Sequence, residues 1–489
     1  MSAKPSAAAP ASGAMRLFDI DRREAVIAFA QTGVGRACLV LIALIAVYPH
    51  FGAWPTFFAV AGASAAAAWP VRRGAILFAA TWASAFLNTA LDEVDTADNI
   101  RAVLLQERLG EAVAIPLALG FLGLFFLAAL ALLRWVQARP QSLLARRPLT
   151  TLLLMEALLC VLGSFGLSHG WPRALLWSAV FVFAPYLWFL PFAIADLRSR
   201  TPSPLTMQMA ALRPFWSPTY LPFGKGAAFL RKHLSAPGRE LAITQIKAVK
   251  LLIWANLLFA LRDAAQRVFA DGAGIPDPHD AIDALLAGHP YPVAMGWAAL
   301  VLATGAYALQ IAAWADLFIG IARLAGYRLP RGSWRPLEAR TLMDYFNRFH
   351  YYFKELLVDL FFMPTFFRMF KTHPRLRMFF ATFMAAGVGN ALWHFSRNIL
   401  EVATAGPVDA FASYTSYVFY ALILAAGVAA SQVRANRGIR PPSSLAGRAW
   451  SFAFVWSFII CIHVFGDGSR VHTLAQRLKF MASLFGASI

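Results

Sequence analysis

Charge is scarce in this chain. Only 14% of its residues are charged, and the acidic ones are the rarer kind, 25 Asp and Glu against 44 Lys and Arg. A soluble domain carries about 25% charged and about 45–50% apolar residues, whereas here the hydrophobic share is 59%. A soluble fold of this length would need several polar-surfaced domains, and no segment is long and polar enough to stand as one. Cysteine is almost missing: Cys38, Cys160 and Cys461 lie far apart inside apolar runs. That spacing suits neither a zinc site nor a redox pair, and the three read as small buried hydrophobes. Nor is there an internal repeat. The segment through Ser12 is mostly Ala, Pro and Ser with no apolar core, so a disordered cytoplasmic tail is expected rather than a cleavable signal peptide. Gly33-Val34-Gly35 lacks a preceding strand and a third glycine, which argues against a nucleotide-binding loop.

What the chain does have is long apolar runs divided by short charged connectors. The run 115–133 contains no charge, and crossing a hydrocarbon core of about 30 Å takes roughly 20 residues. The expected fold is all-α, a polytopic membrane protein of about eleven transmembrane helices plus re-entrant or interfacial helices. The spans fall near 37–50, 54–70, 74–91, 113–135, 150–168, 174–195, 251–270, 292–321, 377–400, 410–431 and 449–466, with Pro116 and Pro185 kinking theirs. Residues 1–36 are read as the tail followed by an interfacial amphipathic helix over 15–36, residues 37–466 as the transmembrane core, and 467–489 as an amphipathic C-terminal segment.

The net charge of +19 reports topology rather than nucleic acid. Basic residues gather in alternate connectors, including Arg72 and Arg73, the four arginines of 134–147, and the stretches 198–250, 323–340, 368–377 and 434–448. Most of the longer intervening connectors are acidic: Asp92, Glu93, Asp95 and Asp98, then Asp271, Asp277, Asp280 and Asp283, then Glu401 and Asp409. Cytoplasmic loops hold the Lys/Arg excess. The reading is therefore a multi-pass protein of the cell membrane, a bacterial inner membrane, with its N-terminus cytoplasmic. Arg470, Arg477 and Lys479 mildly break that rule. Two connectors are too apolar for plain loops. One, 197–250, carries Phe215, Trp216, Tyr220, Leu221, Phe223 and Phe229 among its basic residues, and is expected to fold against the inner face and partly dip in. The other, 340–371, is an aromatic stretch around Lys354, Glu355 and Asp359. Half-inserted backbone of this kind must be covered by protein or line a water-filled space, so 340–371 is a candidate cavity wall.

A charge kept at the centre of an apolar span costs at least about 2.5 kcal/mol, so polar residues retained there mark candidate chemistry. The clearest set is Gly387-Val388-Gly389-Asn390-Ala391-Leu392-Trp393-His394. Asn390 and His394 are four apart and share a helix face; the glycines admit a neighbouring helix or a ligand; histidine suits proton transfer near neutrality. A hydrogen-bonded packing histidine has the same appearance. A second set, Asp344-Tyr345-Phe346-Asn347-Arg348-Phe349-His350, leads into the aromatic stretch, where Tyr351, Tyr352, Glu355 and Asp359 can line a polar track. An interfacial anchor of Arg and aromatics is the alternative.

From Tyr307 to His394 the chain resembles the membrane-bound O-acyltransferase family, and is most similar to its bacterial alginate O-acetylating and teichoic-acid D-alanylating branch. Tyr307, Leu309, Gln310, Asp316, Ile319, Gly320, Leu324, Gly326 and Pro330 follow the family's aspartate-bearing helix and its exit. Pro336, Asp344, Arg348, His350, Asp359 and Pro364 keep its intervals, and Asn390, Trp393 and His394 match its asparagine and tryptophan–histidine pair. There are departures: Gln310-Ile311-Ala312-Ala313-Trp314-Ala315 replaces an acidic-serine-glycine run, Asn347 an arginine, Phe349 a tryptophan, and Phe395 a glycine. They bear on donor, acceptor and partner more than on reaction type.

The resemblance implies an enzyme, with His394 and His350 as catalytic residues and Asn390, Trp393, Asn347, Arg348, Asp316 and Asp359 lining a substrate channel. It implies no bound cofactor and no metal. An acyl-CoA or acyl-carrier thioester serves as donor substrate, the acceptor is a hydroxyl of a polysaccharide or small molecule, and membrane lipid surrounds the whole. An extracytoplasmic esterase-like partner protein fits a surface-polymer acceptor. The competing readings are a lipid or small-molecule acyltransferase, and a non-enzymatic transporter or export component, against which the lack of an inverted repeat counts.

Overall fold

In the computed structural model, residues 19–166, 169–217, 221–468 and 470–487 are described. The tail through Ser12, the first part of the 15–36 segment and Tyr220 lie outside them. All regular elements among these residues are helical, and the β pairing consists of one isolated bridge between Leu234 and Tyr327. Seven helices are long and apolar enough to cross a bilayer: Gly33–Phe51, Glu111–Ala138, Pro148–Gly166, Arg239–Gly272, Val293–Leu324, Thr415–Asn436 and Leu445–His463. Counting each bent pair as one span adds Pro70–Ala90 with Asp95–Gln106, bent by 40°, and Trp171–Leu187 with Leu190–Leu197, bent by 54°. The chain is an all-α, multi-pass membrane protein.

Two elements account for nine such spans at most among the described residues, where about eleven are expected. The expected span 54–70 is the helix Ala53–Ala68 of 16 residues, about 24 Å long and short of the hydrocarbon thickness. The expected span 377–400 consists of Pro374–Phe383, a π turn over Met384–Gly389, and Asn390–Arg397. Its charged and polar residues keep it from being a plain apolar crossing. The N-terminal segment is also divided. Glu24–Gln31 ends at Thr32, whose hydroxyl accepts from the Gly35 amide at 2.9 Å and opens the next helix. A Cβ on Gly35 would lie 1.9 Å from the Phe29 carbonyl oxygen, so Gly33-Val34-Gly35 is a tight helix–helix turn. Asp21 ties this segment down. Burial alone would raise its carboxyl, but its ion pair with Lys250 holds it below the ordinary range.

The central pair is Arg239–Ala265 against Val293–Leu324, running antiparallel. Gly320 allows the approach: a Cβ there would meet Leu252 at 2.6 Å. The long connector before this pair folds into the protein, as its aromatics suggest. Met209, Leu212, Trp216, Phe223 and Leu230 are all buried, and the Trp216 indole donates to the Phe223 carbonyl at 2.8 Å.

Connectors segregate by sign. At one end Arg101 pairs with Asp92, Gln106 donates to the Thr404 carbonyl, Arg173 binds Glu107 and the Ala403 carbonyl, and Arg470 pairs with Glu401. At the other, Arg198 donates to the Ala145 carbonyl, Arg231 to that of Thr201, and Arg328 pairs with Glu240. We refer to these as the acidic and the basic end.

The cations of the C-terminal segment are accommodated inside the acidic end. Arg477, 1% exposed, donates to the carbonyls of His472 and Val464 and to Asp467, anchoring the helix Leu474–Leu484. Breaking a buried ionic set by removing one partner costs about 3–5 kcal/mol. Arg477→Leu is therefore expected to lower the thermal midpoint in detergent and to expose Leu474–Leu484 to limited proteolysis; an unchanged midpoint and digestion pattern would contradict this role.

Candidate functional site

The site is built on the stretch that is least like a plain transmembrane helix. The π turn Met384–Gly389 inserts an extra residue and resets the azimuth of the helix Asn390–Arg397. Its glycines admit protein: a Cβ on Gly387 would lie 3.0 Å from the Ala425 methyl, and one on Gly389 2.7 Å from the Phe361 ring. Asn390 and His394 thereby share the face toward Thr415–Asn436. The Tyr417 hydroxyl donates to the Asn390 side-chain oxygen at 3.3 Å, and the His394 ring lies 4.4 Å from that of Tyr417. The Tyr414 hydroxyl donates to the Ala391 carbonyl at 2.8 Å. Three rings fix the imidazole: Tyr417, Trp393 at 4.5 Å and Phe353 at 5.8 Å.

His350 occupies the break between the helices Leu342–Arg348 and Tyr351–Leu357. Its backbone is pinned from the preceding loop. The Trp334 amide donates to the Arg348 carbonyl at 2.6 Å, the Tyr351 amide to that of Gly332 at 3.1 Å, and the Tyr352 hydroxyl to that of Pro330 at 2.9 Å. Phe353 joins the two histidines, 6.4 Å from the His350 ring and 4.6 Å from that of Trp393. Neither imidazole has a hydrogen-bond partner on its nitrogens among the described residues; His350 lines a cavity, whereas His394 packs among its three rings. The Trp393 indole N–H is buried and likewise without an acceptor among them.

Two cavities approach this cluster. One of about 250 Å³ is lined by His350, Asn347, Asn390, Phe353, Lys354 and Gln432 together with apolar side chains. The 340–371 stretch supplies much of its wall, as expected for a half-inserted segment. The other, about 1100 Å³, is open at the acidic end, where Glu93, Asp95, Asn99, Glu401 and Arg470 line it, and runs inward to Arg213, Trp216 and Arg397. Arg397 lies three residues beyond His394 and over the Trp393 ring at 4.9 Å. The segment Asn390–Arg397 thus borders the small cavity with its first residue and the large one with its last.

Of the residues picked out in the sequence, His350, Asn347 and Asn390 line the small cavity, and Trp393 and His394 pack beside it through Phe353. Trp393, His394 and the other three line neither cavity. Asp316 is buried, 3.4 Å from Arg331, where it holds the loop whose carbonyls pin the His350 backbone. Arg348 pairs with Asp344 at 2.8 Å. Asp359 meets Lys225 at 2.8 Å, and the same ammonium meets Glu355 at 2.7 Å. Lys225 sits at φ 47° between Gly224 and Gly226, in the left-handed region. These three are positioning residues.

Sequence reasoning missed Tyr417, Arg397 and Lys225 as members of the site. The available signal was the spacing of Tyr414, Tyr417 and Tyr420, three apart along one helix, an unusual density of hydroxyls for an apolar span. Among the described residues, no group of His, Cys, Asp and Glu side chains is arranged to hold a metal ion. No family model matches the chain, and no curated protein matches it.

The Lys225 arrangement predicts a coupling. Lys225→Met strands Asp359 and leaves Glu355 to Lys354 alone, and is expected to lower the thermal midpoint; adding Asp359→Asn recovers part of the loss, with a coupling of about 0.5–3 kcal/mol for contacting residues. Additive effects in the double-mutant cycle would show that the pair does not interact.

Proposed function

We propose that the chain is a membrane-bound O-acyltransferase with His394 as its general base. The observation that carries this reading is that two cavities reach the opposite ends of one short helix, Asn390–Arg397, with His394 between them. The ordered series from Tyr307 to His394 that resembles the acyltransferase family adds to it. A thioester donor, acyl-CoA or acyl-carrier, enters from the basic end, taken as cytoplasmic, and its acyl group reaches the small cavity. A hydroxyl acceptor, an exported polysaccharide or a small molecule, enters the large cavity from the acidic end. An esterase-like partner on that side fits the polysaccharide case.

His394 takes the acceptor proton as the hydroxyl oxygen attacks the thioester carbonyl; the C–O bond forms and the C–S bond breaks. The proton passes to the departing thiolate, so imidazole and charge are restored. The Trp393 N–H, without an acceptor among the described residues, serves as a donor for the developing oxyanion. Asn390, its oxygen occupied by Tyr417, keeps Tyr417 against the imidazole. His350 lines the donor cavity and orients the thioester.

Loss of a positioned general base lowers a rate by about 100- to 10,000-fold. With labelled acyl-CoA and membranes containing equal amounts of protein, His394→Ala is expected to lose transfer to that extent, and His350→Ala to lose less, in a donor-dependent way. Full retained transfer in His394→Ala sinks the assignment. Tyr417→Phe tests the support shell: it keeps the ring contact but frees Asn390, so activity is expected to fall by less than in His394→Ala.

A further inference from the structure

A third cavity, of about 600 Å³, lies at the basic end, away from the histidine cluster. Arg239, Glu240, Ile243, Thr244, Lys247, Arg323 and Arg328 form its walls, where the helix Arg239–Ala265 begins and Val293–Leu324 ends. Arg323 uses its Nε and Nη2 on the Leu329 carbonyl at 2.9 and 2.6 Å, which leaves Nη1 without an acceptor among the described residues. In and beside the cavity, five cations (Arg239, Lys247, Lys250, Arg323 and Arg328) meet three carboxylates (Asp21, Glu24 and Glu240). Two positive charges are in excess.

The helix that carries three of these cations, Arg239, Lys247 and Lys250, continues into an apolar stripe. Ile243, Lys247, Lys250, Trp254, Leu257 and Leu261 recur at steps of four and three, hence on one face. Along it the chemistry changes from ammonium groups to apolar side chains that remain outward-facing: Trp254 is 39% exposed, Leu257 49% and Leu261 55%. A soluble phosphate would use the cations and ignore the stripe. A lipid uses both.

We propose that this cavity is a binding site for the phosphate of an anionic phospholipid, whose acyl chains lie along the Trp254, Leu257 and Leu261 stripe. The assignment is independent of the acyl-transfer reading. Charge complementarity selects an anionic headgroup over a zwitterionic one, because a headgroup carrying its own ammonium gains nothing from the excess cations. Each cation near an anionic headgroup strengthens binding by about fivefold, the equivalent of about 1 kcal/mol.

The test uses the full chain, purified in neutral detergent, stripped of lipid and titrated with phosphatidylglycerol or phosphatidylcholine of the same acyl chains, with bound lipid read by native mass spectrometry. Phosphatidylglycerol is expected to bind at least about fivefold more tightly. Lys247→Gln with Arg328→Gln removes that preference, and Lys247→Gln alone, at an exposed side chain, reduces it if the double variant fails to fold. Arg134→Gln with Arg434→Gln, the same charge loss at exposed positions on other helices, leaves it intact. Equal binding of the two lipids by the unaltered chain, or an undiminished preference in the Lys247 variants, overturns the proposal. So does displacement of bound phosphatidylglycerol by adenosine bisphosphate at the concentration where that nucleotide itself binds, which would reassign the cations to a soluble phosphate.

Discussion

A polar group taken out of water needs a partner, and inside a bilayer the solvent supplies none. Most features of this structure are answers to that requirement. Charges are carried to the two ends of the helices, where they pair across connectors. Several of those left inside are matched: Asp316 with Arg331, Lys225 with Glu355 and Asp359, Arg477 with Asp467 and two carbonyls, while Glu156 is buried with no partner among the described residues. His350 and His394 have neither treatment. Their nitrogens have no hydrogen-bond partner among the described residues, and His350 lines a cavity.

The same requirement explains the inward fold of the long basic connector. Its aromatics, Trp216 and Phe223 foremost, fill the core, and its cations end where internal carboxylates or cavities receive them. Lys225 pairs with two carboxylates on the segment just beyond His350, so the cavity wall is braced from a part of the chain more than a hundred residues earlier. The left-handed backbone at Lys225 is a local cost that this bracing offsets. A second brace comes through Asp316 and Arg331, and acts on the other side of the same histidine.

Small residues and the π turn set how closely the pieces meet. Gly320 brings the central helix pair together, and Gly387 and Gly389 let Ala425 and Phe361 reach the turn before Asn390. Bulk at Gly320 would part the central pair, and bulk at Gly387 would push the helix that carries Tyr417 away from the turn before His394. On the acyl-transfer reading, this close packing is what keeps donor and acceptor routes distinct while bringing them to the two ends of one short helix, with Phe353 and Trp393 filling the space between.

The sequence by itself determined the membrane class, the helical architecture and the sign of each connector, because these depend on composition and on run length, which are local. It also marked His350, Asn390 and His394, since a polar residue inside an apolar run is visible without knowing its neighbours. The number of crossings was not settled locally: Ala53–Ala68 is too short, and the Pro374–Arg397 stretch is interrupted by a π turn that no periodicity in the sequence announces. Tertiary structure alone decided which residues support the histidines. Asp316, Arg348 and Asp359 looked like channel lining and are ion-paired braces, and Tyr417 and Lys225 come from distant segments. A side chain's role depends on what lies opposite it, and in a bundle the opposite residue belongs to another helix.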